Sequence, residues 1–131
     1  MSGAGRVPVL VVDDEEPARR ILCETIAAQP GFFVAAQCAN GLEALAAALE
    51  TKPQIALLDI QMPRLDGFEV ASLLEPGIAV VFVTAYDQHA VRAFEVHAVD
   101  YVLKPFRAER LVEALARARS RLGRPAPADP M

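Results

Sequence analysis

Acidic side chains and single polar residues follow the apolar runs of this sequence, in a pattern suited to phosphoryl chemistry. Asp13 and Asp14 follow the first apolar run, Asp59 the third, Thr84 the fourth and Lys104 the fifth. Because ligands bind at the carboxyl ends of the strands in open parallel sheets, we expect these side chains to meet at one edge. The sequence therefore predicts one site that combines carboxylates, a hydroxyl and an ammonium group.

The carboxylates of this site predict a hard divalent cation. Converging carboxylates raise one another's pKa unless a cation neutralises them. Oxygen ligands without a neighbouring His or Cys favour Mg²⁺, with Mn²⁺ as the other possibility. We expect Asp14 and Asp59 to be direct ligands of the metal and Asp13 to act through water. The backbone carbonyl of Gln61, two residues beyond Asp59, is the expected third protein ligand.

Asp59 is the predicted nucleophile. Lys104 precedes Pro105, and its ammonium should reach the same edge and bind a carboxylate or a phosphoryl oxygen. Thr84 offers a hydroxyl donor for another phosphoryl oxygen. With the metal, Lys104 and Thr84 each holding one oxygen, a carboxylate oxygen of Asp59 could attack phosphorus in line.

The elements that must position these residues alternate regularly. Buried strands are predicted over residues 9–12, 32–36, 55–58, 79–83 and 101–103, the second with the weakest signal. Helical patterns cover residues 16–28, 41–49, 67–74, 90–94 and 108–122. Continuous apolar strands suit a sheet covered on both faces, and right-handed crossovers make it parallel. The predicted fold is α/β, a doubly wound five-stranded parallel sheet with five helices and flavodoxin-like topology.

Length and composition set the limits of the domain. The 131 residues, 53% of them hydrophobic, suit one folded domain over residues 7–122 after a tail at 1–6. The Pro/Ala-rich segment 123–131 is expected to be a linker or an artificial chain end, which suggests a further domain. No run is long enough to span a membrane and no signal peptide is evident, so we expect a cytoplasmic protein. Cys23 and Cys38 are expected to be buried free thiols.

In their order and placement these residues resemble the receiver domain of two-component response regulators, over nearly the whole folded chain. The matching residues are Asp13-Asp14, the segment 57–63 with Asp66-Gly67, Thr84-Ala85 and Lys104-Pro105. The resemblance implies that a sensor histidine kinase donates a phosphoryl group to Asp59. It also implies a signalling domain that catalyses its own magnesium-dependent phosphorylation and dephosphorylation, and is not an enzyme otherwise.

The resemblance further implies a switch and a partner. Thr84 would move toward the phosphoryl group and Tyr101 would turn into the space vacated, reshaping the face of the fourth helix, fifth strand and fifth helix, through which a homodimer is expected. The Lys104-Pro105 bond is expected to be cis. Gln61 and Tyr86 occupy positions that influence hydrolysis of the acyl phosphate in relatives.

One stretch is similar to a subgroup of this family. Residues 82–87 and 93–101 resemble receivers attached to LytTR-type DNA-binding domains, as in LytR/AlgR-like regulators. This resemblance implies transcription regulation through a C-terminal DNA-binding domain that is absent from this chain. The formal net charge of −4 argues against DNA binding by the chain itself.

Three other functions compete with this interpretation. A haloacid-dehalogenase-type phosphatase needs a second Asp where this chain has Gln61. Flavin binding is disfavoured because Asp13, Asp14 and Glu15 would repel a phosphate. A scaffold that works without phosphorylation, with the same fold, is the remaining alternative. His89 and His97 are expected to have no catalytic role, because neither has a suitably placed nucleophile or ligand set.

Overall fold

A five-stranded parallel sheet forms the centre of the structure, a computed structural model that describes residues 5–123. The strands are β1 (Val7–Val12), β2 (Phe32–Cys38), β3 (Ile55–Leu58), β4 (Ala79–Thr84) and β5 (Asp100–Leu103), in the order β2-β1-β3-β4-β5. The helices are α1 (Glu16–Ala27), α2 (Gly41–Thr51), α3 (Gly67–Leu73), α4 (Ala90–Glu95) and α5 (Ala108–Arg121). A single 3-10 turn, Asp87–His89, precedes α4. The predicted doubly wound, flavodoxin-like fold is confirmed.

The two faces of the sheet bury separate apolar cores because successive strand residues point to opposite sides. Val9 and Val11 of β1 pack with residues of α1 and α5, including Leu111. Leu10 and Val12 pack on the other side with residues of α2, α3 and α4. Helices on both faces explain why the strands read as continuous apolar runs.

The edge strand β2 has the weakest sequence signal for a structural reason. It pairs only with β1, and its central residues 33–36 are partly exposed. It also runs two residues beyond the predicted end, to Cys38. An edge strand buries less of each side chain, so its apolar pattern is less regular than that of β3.

Several predictions about the chain as a whole meet the structure only in part. Residues 1–4 of the predicted tail and 124–131 of the predicted linker lie outside the described residues. Both cysteines are free, but only Cys38 is buried; Cys23 is partly exposed, so its predicted burial was wrong. Within residues 5–123, no helix is long and apolar enough to cross a membrane.

Candidate functional site

Backbone hydrogen bonds continue the sheet one residue beyond the ends of three strands, and these bonds position the residues of the candidate site. The N–H of Asp13 donates to the carbonyl of Cys38 at 3.1 Å, and that of Asp59 to the carbonyl of Val12 at 3.0 Å. On the other side, the N–H of Lys104 donates to the carbonyl of Thr84 at 2.8 Å. The carboxyl ends of all five strands therefore take part in holding these backbones at one edge of the sheet.

The predicted acidic residues converge at this edge. Carboxylate oxygens of Asp13, Asp14 and Asp59 all lie within 4.8 Å of one another. Asp13 is fully buried and Asp59 is 6% exposed, whereas Asp14 is exposed to solvent. Two of these carboxylates are therefore withdrawn from water, and the third faces it.

The ammonium group of Lys104 offsets the charge of the two buried carboxylates. Its Nζ lies 2.7 Å from Asp13 Oδ2 and 3.2 Å from Asp59 Oδ2. Burial disfavours its charge, but the hydrogen bond to Asp13 and the charge of Asp59 outweigh that effect, so the pKa of Lys104 is raised. Lys104 therefore stays protonated, in contact with the predicted nucleophile.

Burial also acts on Asp13. Loss of hydration raises the pKa of this carboxyl, although hydrogen bonds from Lys104 and from the N–H of Glu15 oppose the shift. The charge of nearby Asp59 adds to the rise. The cluster holds one ammonium close to three carboxylates, so it retains negative charge suited to a further cation.

The loop after Asp59 is held by a glycine that has no room for a side chain. A Cβ on Gly67 would collide with the carbonyl oxygen of Asp59 and lie 2.9 Å from the Cα of Ile60. The N–H of Gly67 donates to the carbonyl of Ile60 at 2.8 Å. Asp66 caps α3 through a reciprocal pair of hydrogen bonds with Glu69. Met62-Pro63 and Asp66-Gly67 are residue types typical of turns, and in the structure this turn lies directly against the backbone of Asp59.

Thr84 is fully buried at the end of β4. Its hydroxyl has no hydrogen-bond partner among the described residues. A buried hydroxyl normally finds a partner, because an unmet one costs free energy. The Thr84 hydroxyl, at the end of the strand that pairs with β5, is therefore available to donate to an added group.

Tyr101 lies in β5, and Pro105 follows that strand directly after Lys104. The hydroxyl of Tyr101 donates to the carbonyl of Tyr86, and burial raises the pKa of the Tyr101 phenol. The Tyr101 side chain is partly exposed. The Lys104-Pro105 peptide bond is cis, the isomer expected from the resemblance.

Sequence reasoning missed several neighbours of the site. Glu15 Oε1 lies 3.6 Å from Lys104 Nζ, and Arg19 donates to the carbonyl of Asp13 at 2.7 Å. The exposed side chain of Gln61 approaches His89 across two loops, with 3.5 Å between their Nε2 atoms. Arg19 lies one helical turn into α1, and that spacing was an available signal. The contact between Gln61 and His89 left no trace in the sequence pattern.

The residues present fit a magnesium ion. The donor set is all oxygen, one carboxylate is open to solvent, and an unmet negative charge remains after Lys104 is counted. Hard oxygen donors with room for water are what Mg²⁺ requires. Asp13, Asp14 and Asp59 are the side chains able to hold it.

Comparison with known proteins relates the whole site to one family. The family model of the response regulator receiver domain matches residues 9–116. An uncharacterised response regulatory protein of Yersinia pestis is 50% identical over 111 residues, 83% of this chain and 47% of the relative. The transcriptional regulatory protein BtsR of Salmonella typhi is 43% identical over 115 residues, 86% of this chain and 48% of the relative. The chain thus spans about half the length of these relatives.

Two solved structures of response regulator domains are also similar to this chain. The response regulatory domain of mrkE from Klebsiella pneumoniae is 33% identical with a TM-score of 0.78, over 86% of this chain and 95% of that one. The response regulator domain of Thermotoga maritima CheB is 31% identical with a TM-score of 0.79, over 95% and 99%.

Proposed function

Since this chain belongs to the response regulator receiver domain family, we propose that Asp59 is its phosphoacceptor. One observation carries the proposal: the Lys104 ammonium contacts both Asp13 and Asp59, at 2.7 and 3.2 Å, within a cluster of carboxylates. A surface lysine would disperse into solvent, whereas this one is held against the predicted nucleophile. The arrangement suits stabilisation of charge on a transferring phosphoryl group.

The proposed reaction is phosphoryl transfer from a phosphohistidine of a sensor histidine kinase. A carboxylate oxygen of Asp59 forms a bond to phosphorus as the bond from phosphorus to the imidazole nitrogen breaks. The electron pair of that bond stays on the imidazole. Lys104 and the unpartnered hydroxyl of Thr84 would each hold one phosphoryl oxygen. The product is an aspartyl phosphate on this chain, not a released product of repeated turnover.

Asp13, Asp14 and Asp59, with the backbone carbonyl of Gln61, are the proposed holders of magnesium. When bound, Mg²⁺ offsets charge on the carboxylates and the phosphoryl oxygens. Asp13 and Lys104 orient each other through their 2.7 Å contact. The N–H of Ile60 donates to Asp59 Oδ1 at 2.7 Å and fixes the direction of that carboxylate.

The proposed output is a change of surface. Thr84 would move its hydroxyl toward the phosphoryl group, and Tyr101 would leave its bond with the Tyr86 carbonyl and turn inward. The surface affected is made of α4, β5 and α5. It carries exposed apolar side chains, with Val91 at 72% and Phe94 at 83%. We propose that this face forms a homodimer on phosphorylation.

The wider role follows from the relatives. A relative named a transcriptional regulatory protein is about twice the length of this chain. We propose that the whole protein is a cytoplasmic transcription regulator whose DNA contact lies in a C-terminal LytTR-type domain, as the resemblance of residues 93–101 to LytTR-type receivers favours. The receiver itself, with a net charge of −4, would contribute control and not DNA binding.

The test is intact mass after incubation with acetyl phosphate and magnesium. We expect a gain of about 80 Da, the mass of one transferred phosphoryl group, in the unaltered chain and not in Asp59→Asn. Asp87→Asn is the matched control, because it makes the same chemical change at an exposed position of the 3-10 turn, and it should gain the adduct. No adduct on the unaltered chain would refute the proposal and favour the phosphorylation-independent scaffold.

Size-exclusion chromatography of the same samples tests the output. We expect a larger species only where the adduct forms. Phe94→Ala should keep the adduct and lose the larger species, because it removes the most exposed large apolar side chain of the proposed interface. Phosphorylation without any change in size would overturn the dimer while leaving the acceptor in place.

A further inference from the structure

Two adjoining pockets form an apolar groove between α2 and α3, the α2–α3 groove. The first pocket lies where the chain enters β3 and β4 and encloses about 430 Å³. The second lies between Leu45 of α2 and Leu73 of α3 and encloses about 280 Å³. Ala48, Leu49 and Glu75 line both pockets. Because one water occupies roughly 30 Å³ in the liquid, the groove has room for several side chains.

The groove leaves large apolar side chains exposed to solvent. Leu49 is 75% exposed and Leu73 is 62% exposed, although the neighbouring Leu74 is buried. Exposed apolar side chains that adjoin one another mark interaction sites more often than isolated ones do. The first pocket lies at the amino ends of β3 and β4, whereas the candidate functional site lies at the carboxyl ends of the strands. The α2–α3 groove is therefore a separate surface.

The chain leaves α5 at the mouth of this groove. Leu122 and Gly123 line the first pocket, and Leu122 also packs against the apolar core on the α5 side of the sheet. Gly123 has a left-handed backbone, with a φ of 78°. Such a residue after a helix turns the chain away from the helix direction. The segment 124–131, which lies outside the described residues, is therefore tethered beside the groove.

The composition of the segment 124–131 suits an apolar groove. It contains three prolines, which favour the extended polyproline II conformation. With three residues per turn in that conformation, Pro125, Ala128 and Met131 fall along one edge, and all three are apolar. Ala126 and Asp129 fall along a different edge. The segment can therefore turn an apolar edge to the groove and keep Asp129 in water.

Length and charge also fit. The eight residues of the segment span about 25 Å in the polyproline II conformation, whereas the part of α2 that lines the groove, residues 45–52, rises about 10 Å. The segment begins with Arg124, and the exposed Glu75, of opposite charge, lines both pockets. Lys52, exposed on the α2 side of the first pocket, repels Arg124. These two charges together direct the segment toward α3.

We propose that the segment 124–131 of this chain occupies the α2–α3 groove. Its apolar edge packs against Leu49 and Leu73, and the edge with Ala126 and Asp129 faces solvent. Because the segment is tethered at the mouth of the groove, docking costs no translational freedom. Its prolines also have little conformational freedom to lose. A docked segment fixes the direction in which the chain leaves the receiver domain, at the edge of the sheet opposite the acceptor site.

The test measures NMR relaxation of the backbone amides in the whole 131-residue chain. We expect order parameters above about 0.7 for Ala126, Ala128 and Asp129, whereas a flexible segment has values below about 0.6. Leu49→Glu places a charge in the groove and should lower these values into the flexible range. Leu42→Glu is the matched control, because it makes the same change at an exposed leucine of α2 that does not line the groove. It should leave the segment ordered.

A second pair of variants tests the edge of the segment that faces the groove. Ala128→Glu should release the segment, because it places a carboxylate on the apolar edge. Ala126→Glu makes the same change on the edge that faces solvent and should keep the order parameters of the unaltered chain. Both substitutions lie outside the folded domain, so a loss of order in the segment cannot come from unfolding of the sheet.

The proposal has clear contrary outcomes. Order parameters below about 0.6 for the segment of the unaltered chain would overturn it. So would equal responses to the two leucine variants or to the two alanine variants. The measurement is repeated after about tenfold dilution, since docking into a second copy depends on concentration. Order that is lost on dilution would assign the groove to a second copy and overturn docking within one chain. None of these outcomes depends on phosphorylation of Asp59.

Discussion

Replacing Lys104 by Met should destabilise the domain in a strongly pH-dependent way. The ammonium lies 2.7 Å from Asp13, which is fully buried, and 3.2 Å from Asp59, which is nearly so. Removing one partner of a buried ion pair costs about 3–5 kcal/mol, because the remaining charge is left uncompensated. Methionine fills a similar volume, so little of the loss would come from packing.

Protonation sets an upper bound on the loss. Asp13 can escape its unpaired charge by taking up a proton. Near pH 7 this costs about 4 kcal/mol for a carboxyl whose unfolded pKa is about 3.9. Because burial already raises the pKa of Asp13, this carboxyl takes up a proton at a higher pH than an exposed aspartate does. The free-energy cost of protonation then decreases as the pH falls. We therefore expect a loss of about 3–4 kcal/mol near pH 7, which shrinks by up to about 1.4 kcal/mol for each pH unit toward pH 5.

At alkaline pH, the ionisation of Lys104 controls the stability of the folded domain. The pKa of Lys104 is raised in the folded chain, so its stabilisation is present below its ordinary value of 10.5 and disappears as the pH rises through the folded value. Between about pH 5 and pH 9 the ammonium stays charged, and only the carboxylates set the pH dependence of the difference.

The assay is urea unfolding followed by circular dichroism, for the unaltered chain and Lys104→Met across this range. Lys52→Met is the matched control, because Lys52 is exposed at the end of α2 and should cost less than about 0.5 kcal/mol. Added magnesium should recover part of the loss in Lys104→Met, since a bound cation replaces the missing charge. A loss of unfolding free energy below about 1 kcal/mol near pH 7 would refute this reasoning. So would a loss that does not become smaller as the pH falls toward 5.

Three further substitutions test other parts of the site. Thr84→Val should leave the unphosphorylated domain as stable or stabilise it by about 1 kcal/mol in urea unfolding, since the buried hydroxyl lacks a partner; a clear destabilisation would show that the hydroxyl is satisfied. Gly67→Ala should destabilise the domain by about 1–3 kcal/mol, because its Cβ would meet the carbonyl of Asp59. Gly67→Ala should also slow adduct formation about tenfold or more, because a shift of the Asp59 backbone would displace the Asp59 carboxylate. A normal rate of adduct formation would contradict the close approach of Gly67 to the Asp59 backbone. Asp100→Asn should cost about 1–2 kcal/mol near pH 7, because Arg110 contacts Asp100 through both of its terminal nitrogens at 2.8 Å. Burial opposes the charge of Asp100 but the arginine outweighs it and lowers its pKa, so this cost should vanish as the pH falls through that lowered value, below 3.8; a cost that persists in acid would exclude the ion pair.

The arginines of α5 show how far sequence patterns reach. The apolar stripe of Leu111, Leu115, Ala118 and Leu122 predicts the buried side of this helix. The first three are buried, and Leu122, which follows the last residue of α5, is only partly buried against the same core. The same pattern predicts that the arginines on the other face, Arg110 and Arg117 among them, are either solvated or paired with acidic residues across a dimer. In the structure both pair with Asp100 of the same chain. Periodicity identifies which face is buried, but it does not identify the partner of a charge on the other face.

The contacts of His89 and Gly67 could not be predicted from the sequence for a related reason. His89 lies 28 positions from Gln61, and no spacing rule connects two residues that meet only after two loops fold toward each other. Gly67 was read as turn chemistry, a local property. Its closest contact is with the backbone of Asp59, which a reading of turn residues does not include.

The order of the strands and helices, and the reactive groups at the strand ends, can be predicted from the sequence. Apolar runs specify buried strands, and parallel strands necessarily bring their carboxyl ends to one edge, so Asp13, Asp59 and Lys104 could be placed together before any coordinates. The contacts within that edge depend on the folded structure: Asp13 is the fully buried carboxylate, Lys104 contacts both Asp13 and Asp59, and the Thr84 hydroxyl lacks a partner among the described residues. Those outcomes depend on differences of a few tenths of an ångström between packed layers, and such differences arise from the whole fold and not from any local run of residues.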